Sequence, residues 1–110
     1  MGVRLLLREE TLTARIIGEI DHHTARAVRE EIDSTAQKIK PLHLCLDFTE
    51  VPFMDSSGVG LILGRYRLMQ MWHGRVTLLN MSPQVEKLVG LSGLDRLVSI
   101  ERGEMDESHE

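Results

Sequence analysis

The sequence predicts an α/β fold, a mixed sheet of about five strands with helices packed on it. Stretches of alternating apolar and polar residues take turns with stretches of helical period. The first two strand-like stretches are split only by a short polar break, as in a hairpin. From there the order runs helix, strand, helix, strand, helix, strand.

Val3, Leu5 and Leu7 alternate with Arg4, Leu6 and Arg8, and Leu12, Ala14 and Ile16 alternate with Thr13, Arg15 and Ile17. Glu9 and Glu10 separate them, so the two strands read as a hairpin. Ala25, Val28, Ile32, Ala36 and Ile39 then recur at helical spacing, with Arg26, Arg29, Glu30 and Lys38 between them. Asp21 or Thr24 is suited to cap that helix, and Pro41 stops it. Leu42 to Asp47 alternates as a third strand, and Phe48 to Ser57 reads as a loop.

A second helix is predicted from Gly58 to Trp72, beginning near Ser57, with Val59, Ile62, Leu63, Tyr66 and Met69 on one stripe. Gly74 sits where a helix often ends, and Val76 to Leu79 is a fourth strand. Ser82-Pro83 opens a third helix, serine as cap and proline at the first helical position. Its apolar stripe is Val85, Leu88 and Val89; Gly90 and Gly93 close it, and Leu97 to Ile100 is a fifth strand. The acidic stretch Glu101 to Glu110 lacks an apolar period and is expected to fray.

The chain of 110 residues, 42% of them hydrophobic, fits a single globular domain over residues 1–110. No apolar run approaches the ~20 residues that a membrane helix needs, and no secretory signal is visible, so a cytoplasmic protein without a membrane role is expected. The single cysteine, Cys45, excludes an internal disulfide. A net charge of -4 argues against nucleic acid as the main partner, because phosphate backbones select basic faces.

The chemistry concentrates in Phe53-Met54-Asp55-Ser56-Ser57-Gly58-Val59-Gly60. A strand feeds a loop, and the loop feeds a helix, so two adjacent serines sit at a helix N-terminus. The first N–H groups there lack intrahelical partners, and the dipole places partial positive charge at that end. A phosphate is well tolerated at such a place. Serine is also a preferred N-cap, and local chemistry alone favours reading Asp-Ser-Ser-Gly as nothing more than a capped turn.

Gly60 and Gly64 lie four apart and share a helix face. Each costs ~0.5–1 kcal/mol relative to alanine, which points to a close approach on that face, by the sheet or by a partner. The stripe of Ile62, Leu63 and Tyr66 already supplies a buried face, which favours a partner.

Ser56 with His22 or His23 and Asp21 has the composition of a hydrolase triad, but the G-x-S-x-G elbow is missing. No G-x-x-x-x-G-K-[ST] loop exists. Adjacent histidines do not share a helix face, and no Cys or His cluster lies near them, so no metal ligand set is expected.

At these residues the sequence resembles the anti-sigma factor antagonists of the STAS domain family, most of all the sporulation sigma-F type. The matching segments are Gly18 to Ala25 (Gly-Glu-Ile-Asp-His-His-Thr-Ala), Phe53 to Tyr66, Ser82-Pro83 and Leu91 to Leu94. Together they run from the hairpin to the last strand. The resemblance implies that Ser56 is the phosphoacceptor. It implies a cycle in which the unphosphorylated chain binds an anti-sigma factor that is also a serine kinase, and so frees a sigma factor. The kinase then phosphorylates Ser56 with ATP, and a metal-dependent serine phosphatase resets it. ATP and metal belong to those partners, and no cofactor is expected in this chain. Asp55 and Ser57 are expected to shape the loop, Gly58, Leu61 and Gly64 to form the partner face, and Asp21 to be a charged contact beside it. A STAS regulator of another pathway, such as general stress, is the alternative within the fold.

Three features depart from the family pattern. The acidic end stands where a further amphipathic helix is usual, Val89-Gly90 replaces bulkier residues in the third helix, and Trp72-His73 is unusual.

Overall fold

Alternation in the first two strands buries one face only, and this fixes the hairpin. β1 (Gly2–Arg8) pairs antiparallel with β2 (Thr11–Ile17), so Val3, Leu5 and Leu7 stand opposite Ile16, Ala14 and Leu12. In the computed structural model, which describes residues 2–102, the chain continues through α1 (His22–Ile39), β3 (His43–Glu50), α2 (Ser56–Gln70), β4 (Arg75–Leu79), α3 (Pro83–Ser92) and β5 (Ser99–Glu101). The sheet order is β1-β2-β3-β4-β5, with every pair after the hairpin parallel. Each helix is therefore a crossover between adjacent parallel strands. Right-handed crossovers that all step the same way lay the helices on one face of the sheet. The mixed α/β sheet expected from the sequence is observed.

The core lies between that face and the helices. Leu12, Ala14 and Ile16 of β2, Leu44, Leu46 and Phe48 of β3, and Val76 and Leu78 of β4 meet Val28, Ile32 and Ala36 of α1, Ile62 and Met69 of α2, and Val85 and Val89 of α3. Val89 is fully buried and Gly90 is exposed, so the small pair suits a helix that packs by only part of its girth.

The central strand differs from its prediction. β3 continues to Glu50 instead of ending at Asp47, and Leu44 through Phe48 are all buried. On the sheet face away from the helices, polar groups satisfy one another. Asp47 accepts from the Thr49 N–H (3.0 Å), the Thr49 hydroxyl (2.6 Å), Asn80 Nδ2 (3.3 Å) and Arg15 Nε (3.2 Å). Burial pushes the Asp47 carboxyl up, and these donors outweigh it, holding it below its ordinary value. His43 and Thr77 share a 2.6 Å hydrogen bond on the same face.

α2 also differs from its prediction. It starts at Ser56 and ends at Gln70, and its buried residues are Gly58, Leu61, Ile62, Arg65 and Met69; Val59, Leu63 and Tyr66 are only partly buried. The helix packs against α1 as well as the sheet, so its buried face is offset from the apolar stripe. Arg65, 5% exposed, reaches Asp33 of α1 at 2.9 Å. Desolvation lowers the Arg65 value and raises that of Asp33, with each charge partly offsetting the other's shift. Such a pair locks two helices in register, because removing either partner strands a buried charge.

The ends follow local rules. Lys40 takes a left-handed conformation (φ 45°) as the cap of α1, ahead of Pro41. Trp72 has a structural role. Its Nε1–H donates to the Pro41 carbonyl at 2.7 Å, tying the turn after α2 to the turn after α1. His73 takes a positive φ of 62° in that same turn. Gly93 ends α3 at φ 82°, whereas Gly90 lies inside the helix. A 3-10 turn at Leu94–Arg96, not expected from the sequence, leads to β5, which is shifted along the chain to Ser99–Glu101. Glu101 thus belongs to the sheet, and Arg102 pairs with Glu86 at 2.8 Å. Residues 103–110 of the expected tail, including any further helix there, lie outside the described residues.

The glycines of α2 fall into two kinds. A methyl group at Gly58 would overlap the Met54 thioether, while methyls at Gly60 and Gly64 would meet nothing within 4 Å among the described residues. Gly60→Ala and Gly64→Ala should therefore each raise stability in urea unfolding by about 0.5–1 kcal/mol. Gly58→Ala should lower it. Destabilisation by all three would show that the Gly60–Gly64 face is packed instead of open.

Candidate functional site

The site is built where parallel strands end and helices begin, the edge at which α/β sheets expose their loops. The β2–β3 pairing does not stop with the strands. The Gly18 N–H donates to the Glu50 carbonyl (2.9 Å), the Ile20 N–H to the Phe53 carbonyl (3.1 Å), and the Asp55 N–H to the Ile20 carbonyl (3.1 Å). Ile20 and Met54 form an isolated parallel bridge. The loop before α1 is thereby stitched to the loop before α2, and Asp21 and Asp55 become neighbours across one main-chain hydrogen bond.

Both aspartates are N-caps. Asp21 Oδ1 accepts from the N–H groups of His23 and Thr24, each at 2.9 Å, and the Asp21 N–H donates back to the Thr24 hydroxyl at 2.9 Å. This reciprocal capping box starts α1. The Thr24 N–H foremost, with the Thr24 hydroxyl and the His23 N–H, outweighs desolvation and holds the Asp21 carboxyl below its ordinary value. Asp55 Oδ1 accepts from the Ser57 N–H at 2.8 Å and starts α2. Ser56 is thus the first residue of α2, not its cap, and it is exposed. Among the described residues its hydroxyl has no hydrogen-bond partner. Two helix N-termini, their first N–H groups capped by Asp21 and Asp55, start side by side next to it and bring their positive dipole ends close.

The structure brings together Asp21, Asp55, Ser56 and Ser57, as expected from the sequence. It separates the expected partner face into two parts. Gly58 is buried and Leu61 is 4% exposed, so both belong to the interior, where Gly58 clears the Met54 side chain. That is a correction to their expected place on a partner surface. Gly60 and Gly64 remain on an open face. Between α1 and α2 a groove of about 510 Å³ is lined by His22, Ala25, Arg26, Arg29, Ser57 and Gly60, with Leu61 at its floor.

Two further residues stand at the site: Phe53, which heads the segment singled out in the sequence, and Gln84, which carried no functional sign there. Phe53 lies just before the capped turn and is 47% exposed, an aromatic ring left on the surface. Gln84, at the start of α3, donates from Nε2 to the Met54 carbonyl at 3.0 Å and accepts from the Met54 N–H at 3.1 Å. The two histidines head α1 and are exposed. The Asp21 carboxylate is engaged by main-chain N–H groups instead of an imidazole ring. Among the described residues, no group of three or more His, Cys, Asp or Glu side chains is placed to hold a metal ion. Among them, too, no helix is long and apolar enough to cross a membrane.

Comparison with known proteins agrees with this geometry. The STAS domain family model matches residues 3–108. The chain is 38% identical over 95 residues to an anti-sigma F factor antagonist of Paenibacillus polymyxa, covering 86% of this chain and 81% of that one. Among solved structures it is similar to the anti-sigma factor antagonist SpoIIAA in its unphosphorylated form, with a TM-score of 0.80, 34% identity, and coverage of 97% of this chain and 94% of that one. It is also similar to the Bacillus cell fate determinant SpoIIAA in the phosphorylated form, with a TM-score of 0.71, 37% identity and 97% of each chain covered. The family model spans nearly all of the described residues, the solved structures share the fold, and the chain belongs to the STAS domain family.

Proposed function

We propose that this chain is an anti-sigma factor antagonist whose partner binding is switched by phosphorylation of Ser56. The observation that carries the reading is the exposed Ser56 hydroxyl at the junction of two helix N-termini. Unphosphorylated, the chain binds an anti-sigma factor that is also a serine kinase, and the sigma factor is released. In the kinase reaction the Ser56 hydroxyl attacks the γ-phosphorus of ATP, ADP leaves, and the hydroxyl proton passes to a base on the kinase. A serine phosphatase restores the hydroxyl. ATP and metal ions act in those partner enzymes, in the cytoplasm, and this chain contributes the acceptor and the docking surface around it.

A serine hydrolase would need a histidine oriented by a carboxylate. The Asp21 carboxylate is already engaged in starting α1, which favours the regulatory reading.

The phosphate adds about -1.5 to -2 charges. In the free chain it sits in water beside helix N-termini, each worth ~0.3–1 kcal/mol of stabilisation to an anion, while Asp55 and Asp21 oppose it. In a complex the same phosphate loses its water. Two like unit charges ~4 Å apart at an effective dielectric of ~20 repel by ~4 kcal/mol, and a hundredfold loss of affinity needs only ~2.7 kcal/mol. One phosphate is sufficient for release without a change of fold.

The direct test is incubation with an anti-sigma kinase and ATP, followed by mass spectrometry of the phosphorylated peptide. Phosphate on Ser56 is expected; phosphate on Ser57 alone would overturn the assignment. Ser56→Ala should bind the anti-sigma factor and accept no phosphate, whereas Ser56→Asp should bind at least about tenfold more weakly.

Asp21 is proposed as a charged contact to a basic group of the partner. Asp21→Ser retains a capping oxygen and removes the charge, so it should weaken binding without unfolding α1. Its salt dependence should be shallower than that of the wild type, since the lost pair is a screened one. Equal affinity and equal salt slope would remove Asp21 from the interface.

Amide NMR spectra of the phosphorylated and unphosphorylated chains should differ only around Asp21 and from Met54 to Leu61, with melting temperatures within a few degrees. Shifts spread across the sheet would show a conformational switch instead.

A further inference from the structure

The loop that presents Ser56 is held from two sides, and only one of them is main chain. On the β2 side, the Phe53 carbonyl and the Asp55 N–H point at Ile20 and are bonded to it. In extended backbone, successive residues turn their N–H and C=O groups to opposite sides. The Met54 N–H and C=O therefore point the other way, toward the place a β4 continuation would fill. β4 has ended at Leu79, and Ser82 has begun α3, so among the described residues no strand stands there. The side chain of Gln84 fills that place. Its carboxamide presents a carbonyl oxygen and an N–H on one edge, and it meets both Met54 groups, at 3.1 and 3.0 Å. Met54 is fully buried, and these are its main-chain partners.

We infer that Gln84 is a positioning residue for phosphoryl transfer to Ser56. Acting as a one-residue substitute for a strand, it clamps Met54 and so fixes the height and direction from which the Asp55–Ser56 turn leaves the sheet. It touches neither ATP nor the reacting oxygen. Its effect passes through two backbone positions, from Met54 to Asp55 to Ser56. The residue type is specific. Glutamate keeps the acceptor and loses the donor, asparagine is one methylene too short, and leucine keeps the bulk and loses both bonds. The inference rests on the proposed function, because it concerns the rate at which that same serine is modified.

The test compares wild type with Gln84→Leu and Gln84→Glu in three measurements: melting temperature, amide hydrogen exchange from Met54 to Ser57, and steady-state phosphorylation by an anti-sigma kinase with ATP. Gln84→Leu should melt within a few degrees of the wild type and exchange its Met54 amide at least about tenfold faster. It should be phosphorylated about tenfold more slowly through kcat, with KM little changed, as expected when a group acts on the reacting geometry and not on docking. Gln84→Glu retains the acceptor for the Met54 N–H, so its Met54 amide should stay protected more than in Gln84→Leu and its kcat should be intermediate. That graded rescue would not follow from a merely structural role. If Gln84→Leu fails to fold, Gln84→Glu decides the matter by the same kcat comparison. Wild-type kcat in the variants, with the Met54 amide freed, would make Gln84 a brace without a role in the reaction. A wild-type chain that accepts no phosphate at all would overturn the proposed function, and this role with it.

Discussion

Everything at the site depends on three main-chain hydrogen bonds that carry the β2–β3 pairing beyond the strands themselves. Without the bonds from Gly18 to Glu50, Ile20 to Phe53 and Asp55 to Ile20, the loops before α1 and α2 would be independent surface turns. With them, the two helices start side by side, and their caps, Asp21 and Asp55, are fixed at one level. The pairing crosses an irregularity between Arg15 and Ile17, which lets the loop register differ from the strand register. The Arg65–Asp33 pair acts in the same sense further along, holding the helices together where their backbones no longer meet. Tertiary hydrogen bonding thus determines what the serine sees, and the local sequence supplies only the groups.

Much of the fold is legible in the sequence because its determinants are local. The hairpin, Asp21 as a cap, Ser82-Pro83 and Gly93 all follow from patterns within a few residues. The departures share a cause in groups whose partners are distant in sequence. Asp55, Ser56 and Ser57 are near-equal candidates for a cap, and the bond from Asp55 to Ile20 selects the first of them. β3 runs past its expected end at Asp47. A buried aspartate breaks an apolar pattern, while Arg15, Thr49 and Asn80 make that aspartate acceptable in place. A buried face containing Gly58 and Arg65 is likewise invisible to a search for apolar stripes, and Leu61 reads as surface for the same reason. Gln84 looks like any polar residue at the outset of a helix. Only the absent strand beside Met54 gives it meaning.

The glycines show how one motif can serve two ends. Gly58 is required by packing, since any side chain there would strike Met54, the residue whose backbone Gln84 holds. Gly60 and Gly64 are required by nothing among the described residues, and each costs stability that an alanine would return. A helix that retains two such residues on an open face, next to an exposed Phe53 and the Ser56 turn, is better suited to receiving another surface than to stabilising itself.

Under the proposed function, this arrangement makes charge a sufficient switch. A ligand or modification shifts an equilibrium only by its differential effect on the two states. In the free chain the phosphate's favourable and unfavourable neighbours are all solvated, so helix ends and carboxylates act weakly and in opposition. Covering the same surface with a partner removes water from all of them at once. The helix ends gain a little, while the phosphate, Asp21 and Asp55 are forced together at lower dielectric and the desolvation of the dianion is added. The two states therefore differ by far more in the complex than in the free chain. A loop stitched on one side by Ile20 and clamped on the other by Gln84 cannot swing the phosphate away to relieve that repulsion. Under the proposed function, stiffness at Met54 is what would convert a local charge into release.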